Sequence, residues 1–205
     1  VGYVYTGYFL YDDTEIINVA RTYEYAKNAG ATWVVGSDPH TQKIMPAMLG
    51  DSGYNSPLQD IASWFDPDDP DTWEFFGIIP IDITGLVDST RTANVIEATT
   101  DGGTVGRLRN QPRTVVFHVL LVGRDDAACN AGMQWLRYAL LGQCDSNGQV
   151  TSACGGAELE YLAALPEVDD YDPNYPTECL FDYWRCLYTT TFTDGPHLLS
   201  RQFPE

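Results

Sequence analysis

The stretch that most constrains the fold is an apolar strand run straight into an amphipathic helix: "TVVFHVLLV" at 114–122, then "GRDDAACNAGMQWLRYALLGQC" at 123–144. The first run is apolar apart from Thr114 and His118, the pattern of a strand covered on both faces. In the second, Ala128, Ala131, Gly132, Trp135, Leu136, Ala139 and Leu140 recur at helical spacing on one stripe, while Gln134 and Arg137 turn away. The small Ala131 and Gly132 let such a helix lie close on a sheet, and Trp135 fills the space beyond them. Asp125 or Asp126 can accept from the free N–H groups of the first turn and sit at the positive end of the helix dipole. Gly142 is a fitting stop. The Arg-Asp-Asp cluster therefore reads as a helix start and not as a reaction centre.

Before this unit, "TEIINVARTYEYAKNAG" at 14–30 reads as a short extended piece followed by loop or one helical turn. A short helix ending at Gly30, with Thr14 as its cap, is the alternative. Gly, Pro and Ser punctuate residues 36 to about 65, which suggests a long surface arm of the kind that serves interaction. The aromatic and Met residues there and beside it, Trp33, Met45, Met48, Tyr54, Trp64, Phe65 and Trp73, are the expected contact residues of a subunit interface.

From Phe75 onward the pattern turns to β. Phe75 to Ile83 and Ala93 to Thr99 are strand-like, and "TDGGTVG" supplies a turn between strands. After the helix, "AELEYLAALP" is a strand or a helical turn. "CLFDYWRCLYTTTFTDG" alternates as one long strand ending at Asp194-Gly195. The expected fold is α+β: a mainly antiparallel split barrel or sandwich with one main helix on the sheet.

With 29 acids against 11 bases the chain carries −18, which repels phosphate backbones and anionic membranes. No apolar run is long enough to span a bilayer, and the start lacks the basic, small-residue pattern of an export signal. The chain opens on Val1 and stops at "SRQFPE" soon after a strand-like run, as a processed or partial product would. Of the five cysteines, Cys144, Cys154, Cys179 and Cys186 cluster late and suggest a disulfide staple. Their pairing is open, and closing the Cys144–Cys154 loop would be worth about 2–3 kcal/mol. Their wide gaps speak against a structural zinc, and neither a metal nor a cofactor is expected.

Motifs that hint at chemistry read better as structure. "GDSGY" at 50–54 resembles the surroundings of a protease nucleophile, but His40 is crowded ten residues before Ser52, and no upstream His and Asp are placed to serve it. "DGGTVGRLR" lacks the helix that a phosphate loop opens. His118 sits in the apolar strand, and His40 and His197 lie beside prolines without ligand spacing. "DYDPN" at 170–174 starts like a calcium loop but has Tyr175 where Gly is needed and Phe181 where the bidentate Glu belongs. The many carboxylates make any two-acid reading of glycoside hydrolysis uninformative.

Taken together, four segments resemble the minor tail proteins of siphophages infecting actinobacteria, of the distal tail protein type. They are "EIINVARTYEYAKN" (15–28), the "FFGIIPIDITGLVDSTRTANVIEATTDGGTVGRLRNQPRTVVF" passage (75–117), "LLVGRDDAACNAGMQWLRYAL" (120–140) and "CDSNGQVTSACGGAELEYLAALP" (144–166). Glu160 and Leu165 stand where further cysteines of that family are expected, so its disulfide pattern does not carry over. The resemblance implies a single tail-tube-like β domain, 1–205, in a virion, with a further C-terminal domain in larger members. It also implies a hexameric ring of copies between the tail tube and the tip. The partners would be the tail tube protein, the tape measure protein and other tail-tip proteins, with DNA passing only in transit and no membrane insertion. A strongly acidic surface would suit a lumen through which DNA slides without sticking. The competing readings are a secreted, disulfide-stapled carbohydrate-binding module and, weaker for want of a nucleophile with a base, a hydrolase.

Overall fold

The computed structural model describes residues 5–31, 39–51, 53–86, 91–97, 103–141, 157–167 and 171–201. The fold is α+β with antiparallel sheets, and it divides into two compact units, Val1–Pro80 with Leu120–Glu205, and Ile81–Val119.

In the first unit, β1 (Tyr8–Tyr11) and β2 (Thr14–Asn18) form a hairpin whose two turn residues, Asp12 and Asp13, have φ of 50° and 63°. That pair of positive values matches the right-handed twist of the strands, and aspartate tolerates it. β7 (Ala157–Leu162) pairs with β1, and β8 (Trp184–Thr190) with β7, giving the order β2-β1-β7-β8. Phe9 on β1 stacks on its ladder partner Tyr161 with ring centroids 5.6 Å apart, and both face the core. Before β8 the chain makes a short helix, α5 (Glu178–Tyr183). The long strand expected through Asp194 is therefore a helical turn followed by seven extended residues.

α1 (Val19–Asn28) follows β2 directly. Its cap is Asn18, whose side chain accepts from the Arg21 N–H at 3.0 Å; the extended piece from Thr14 is as expected, the loop or single turn after it is corrected to a ten-residue helix, and Thr14, the cap of the alternative helix, lies in the strand. Val19, Ala20, Thr22, Tyr25 and Ala26 supply a buried stripe that the polar residues between them obscure in the sequence.

The expected arm is corrected as well. Pro39–Leu49 forms a helix, α2, and Ile44, Met45 and Met48 are buried on it. Pro46 inside it costs about 3 kcal/mol. Burying three large apolar side chains, each worth about 1.5–3 kcal/mol, more than offsets that. A short helix α3 (Pro57–Asp60), capped by Ser56, and a 3-10 turn (Pro70–Trp73) lead into β3 (Phe75–Thr84).

β3 pairs with β6 (Val116–Gly123) in a two-stranded sheet. β6 was expected to be covered on both faces. Instead it alternates, with Val116, His118 and Leu120 exposed and Val122 buried. This is the pattern of a strand with one face to solvent, and α4 (Asp126–Leu141) docks on the aromatic cluster around Phe75 and Trp64. The helix stripe itself is as expected: Ala128, Gly132 and Leu136 are buried, Gln134 and Arg137 exposed. A Cβ at Gly132 would run into the Phe75 ring. Asp125 caps the helix, its Oδ1 accepting from the Ala128 N–H at 2.9 Å, while Asp126 is held by Arg201.

The second unit contains β4 (Arg91–Glu97) and β5 (Gly103–Asn110), an antiparallel hairpin with a register shift between Ala93 and Val95. α4, at sixteen residues, is the longest helix among the described residues, beside α1 of ten, α2 of eleven and the short α3 and α5.

Candidate functional site

The densest polar chemistry is built from the segment "EIINVAR". The register shift that leaves Ile16 unpaired in the β1–β2 ladder and the switch to helix at Val19 bring Glu15, Asn18 and Arg21 to one side of the β2–α1 junction. Arg21 Nη1 pairs with Glu15 Oε1 at 2.8 Å, both side chains being mostly buried. Asn18 Nδ2 donates to Glu15 Oε2 at 3.0 Å and to the Tyr54 hydroxyl at 2.9 Å, and that hydroxyl donates to Asp51 Oδ2 at 2.6 Å. The Arg21 guanidinium also lies over the Tyr54 ring, 4.9 Å from its centroid, and 4.0 Å from Asp51. Thr22 closes the end, donating to the Asn18 carbonyl at 3.0 Å.

The electrostatics say what this cluster can do. Burial pushes Glu15 up from the usual carboxylate range, and Arg21 and Asn18 pull it back. The phenols of Tyr8, Tyr25 and Tyr54 are pushed far above their ordinary value, in each case first by burial. They hold their protons at neutral pH, and Tyr54 donates its own to Asp51. A buried cation neutralised by one carboxylate, whose second oxygen accepts from the Asn18 amide, pins β2, α1 and the segment around Tyr54 together, although Arg21 Nε is buried without a hydrogen-bond partner among the described residues. The chemistry is that of a lock between elements.

The expected contact residues fall into three groups. Met45, Met48, Tyr54 and Trp64 are buried in their own chain and are not free contacts, a correction of the interface reading. Trp64 Nε1 donates to the Phe75 carbonyl at 2.9 Å and its ring meets Trp135 edge-on, with centroids 5.5 Å apart. Phe65 is half-buried against Trp73, which is 38% exposed and donates to the Asp66 carbonyl. Trp33 lies outside the described residues. Of the expected helix residues, Asp125, Asp126, Ala131, Gly132 and Trp135 all sit on α4 or at its start. Cys144 and Cys154 lie outside the described residues, as does the side chain of Cys179. Cys186, like Cys129, is a free thiol in the described residues, and its Sγ lies 3.7 Å from Glu158 Oε2.

Large apolar side chains do reach solvent, at positions the sequence reading passed over: Ile81 (70% exposed), Tyr138 (73%), Phe181 (80%) and Leu199 (82%). No helix among the described residues is long and apolar enough to cross a membrane. A cavity of about 220 Å³ is lined by Tyr5, Thr6, Gly7, Val19, Tyr23, Ile79 and Pro80. Compared with the models of known protein families, with curated proteins and with solved structures, the chain matches none.

Proposed function

We propose that the chain is a structural virion protein, one subunit of a ring at the distal end of a long non-contractile phage tail, joining the tail tube to the tip apparatus and performing no catalysis. The observation that carries this reading is the β4–β5 hairpin, whose strands pair with each other and, among the described residues, with no other strand. Each strand thus leaves an outer row of N–H and C=O groups without a ladder partner, and a two-stranded ribbon is only marginally stable alone. Closing a ring of copies satisfies such edges without leaving an end. The exposed Ile81, Tyr138, Phe181 and Leu199 support the same reading, since large apolar residues in contact with water are expensive to keep unless a neighbour covers them. The four segments that resemble distal tail proteins supply the assembly, its partners and its place in the virion; the fold is compatible with them.

The test is native mass spectrometry together with electron microscopy of the purified chain. A closed ring of copies at micromolar concentration supports the reading; a monomer with no ring in micrographs overturns it. The carbohydrate-binding alternative rests on the cavity flanked by Tyr5 and Tyr23. Glycan binding by an isolated monomer would favour it.

A further inference from the structure

The solvent side of the four-stranded sheet gathers a mixed donor set. Glu158 and Glu160 stand two residues apart on β7 and so share a face, and Cys186 is the ladder partner of Glu160 on β8. One ligand atom from each of the three lies within 4.8 Å of the others, and Cys186 Sγ is 3.7 Å from Glu158 Oε2. A tetrahedral zinc ion with sulfur at about 2.3 Å and oxygen at about 2.1 Å would hold those two atoms about 3.6 Å apart. The Cys186–Glu158 spacing fits as it stands, and the Glu160 carboxylate, within 4.8 Å of both, closes by side-chain rotation.

We propose that Glu158, Glu160 and Cys186 form a binding site for a divalent transition-metal ion of the zinc class, with water in the fourth position. The donor types decide the class. Calcium takes six to eight oxygens and magnesium a near-ideal oxygen octahedron, and neither has use for a thiol. A thiolate beside two carboxylates suits a borderline ion such as Zn²⁺ or Co²⁺.

The other roles of this cysteine are weaker. Its Sγ faces a carboxylate and, among the described residues, no cation, which is not the setting of an activated nucleophile. A cation relieves this crowding of negative groups on a body that already carries the whole −18 of the chain. On binding, the Sγ–H bond breaks, an Sγ–metal bond forms and the proton leaves to the buffer; no electron is transferred. Binding therefore weakens as the pH falls.

The test is titration of the metal-free, reduced full chain with Co²⁺, followed by its absorption. The proposal expects a thiolate-to-cobalt charge-transfer band that saturates at one equivalent, disappears on adding Zn²⁺ and persists in excess Mg²⁺. Cys186→Ser abolishes that band, and Glu160→Gln weakens the affinity by about tenfold or more, with circular dichroism showing both variants folded. Calorimetry in buffers of different ionisation enthalpy reads the released proton. Absence of the band, or a band of unchanged intensity in Cys186→Ser, overturns the proposal. The outcome is independent of whether the chain forms rings.

Discussion

The two units of the chain solve the problem of stability in opposite ways. Val1–Pro80 with Leu120–Glu205 is held by an interior of large rings: Tyr25, Trp64, Phe75 and Trp135 meet mostly edge-on, with centroids 5.2 to 6.5 Å apart. The buried lock of Glu15, Asn18, Arg21 and Tyr54 fixes how its elements meet. Ile81–Val119 contains a two-stranded ribbon and exposes Ile81 at 70%. Charge divides the same way. The second unit sets four acids (Asp82, Asp88, Glu97, Asp101) against four arginines (Arg91, Arg107, Arg109, Arg113), so the entire −18 falls on the first. The difference teaches that one part carries its own aromatic interior while the other carries a ribbon whose edges, on the proposed reading, a neighbouring copy would complete. Under the proposed ring, the net-neutral unit with its open ribbon edges would meet the acidic body of a neighbouring copy without the repulsion that two acidic bodies would suffer.

The comparison breaks most sharply under paired truncations. Trp64→Ala removes the ring that meets both Phe75 and Trp135 and should cost about 3–5 kcal/mol. Ile81→Ala in the second unit should stay within about 0.5 kcal/mol of the parent in a monomer. Urea melts of the two variants under one set of conditions check this, and equal losses would erase the distinction.

The lock comes next. Arg21→Ala leaves Glu15 buried without its cation, a loss on the order of 3 kcal/mol. Its pH dependence has a definite sign. Glu15 is raised in the folded chain, so its contribution is fully present below the unfolded carboxylate value and is lost as the pH rises through the higher folded value. Denaturation midpoints measured upward from about pH 4.3 should fall with pH, and Glu15→Gln should flatten that part of the curve. A midpoint that rises through this window because of Glu15 would contradict the assignment.

Smaller still is Gly132→Ala. A methyl there meets the Phe75 ring, and overpacking of this kind costs about 1–3 kcal/mol, although alanine is the better helix former. A thermal melt showing stabilisation would mean that α4 can shift away from Phe75.

How much of this was legible in the sequence depends on whether neighbours along the chain or partners across space decide the outcome. α4 was legible because its own period carries the answer: Ala128, Gly132 and Leu136 are buried where a helical stripe puts them, and Asp125 caps. α2 was not, because Pro46 and the surrounding Gly and Ser argue for loop, while Met45 and Met48 are helical only by virtue of what they bury against. Composition likewise placed Tyr54 and Trp64 at an interface because their segments look irregular. Irregular backbone can still be packed, and both are core. The segment "EIINVAR" was marked by resemblance; its physical content, a lock closed by Asp51 and Tyr54 from much later in the chain, needed coordinates. The Glu158–Glu160–Cys186 cluster was hidden for the same reason. No local spacing joins Glu160 to Cys186, and only the β7–β8 register brings them side by side.

The most direct test of the account is hydrogen exchange of the β4 and β5 amides at two protein concentrations, below and above the onset of assembly. The account predicts fast exchange along the outer edges of the ribbon in the dilute chain and strong protection on assembly, while the amides around Phe9, Phe75 and α4 stay protected throughout. Equal protection of the ribbon at both concentrations would contradict it.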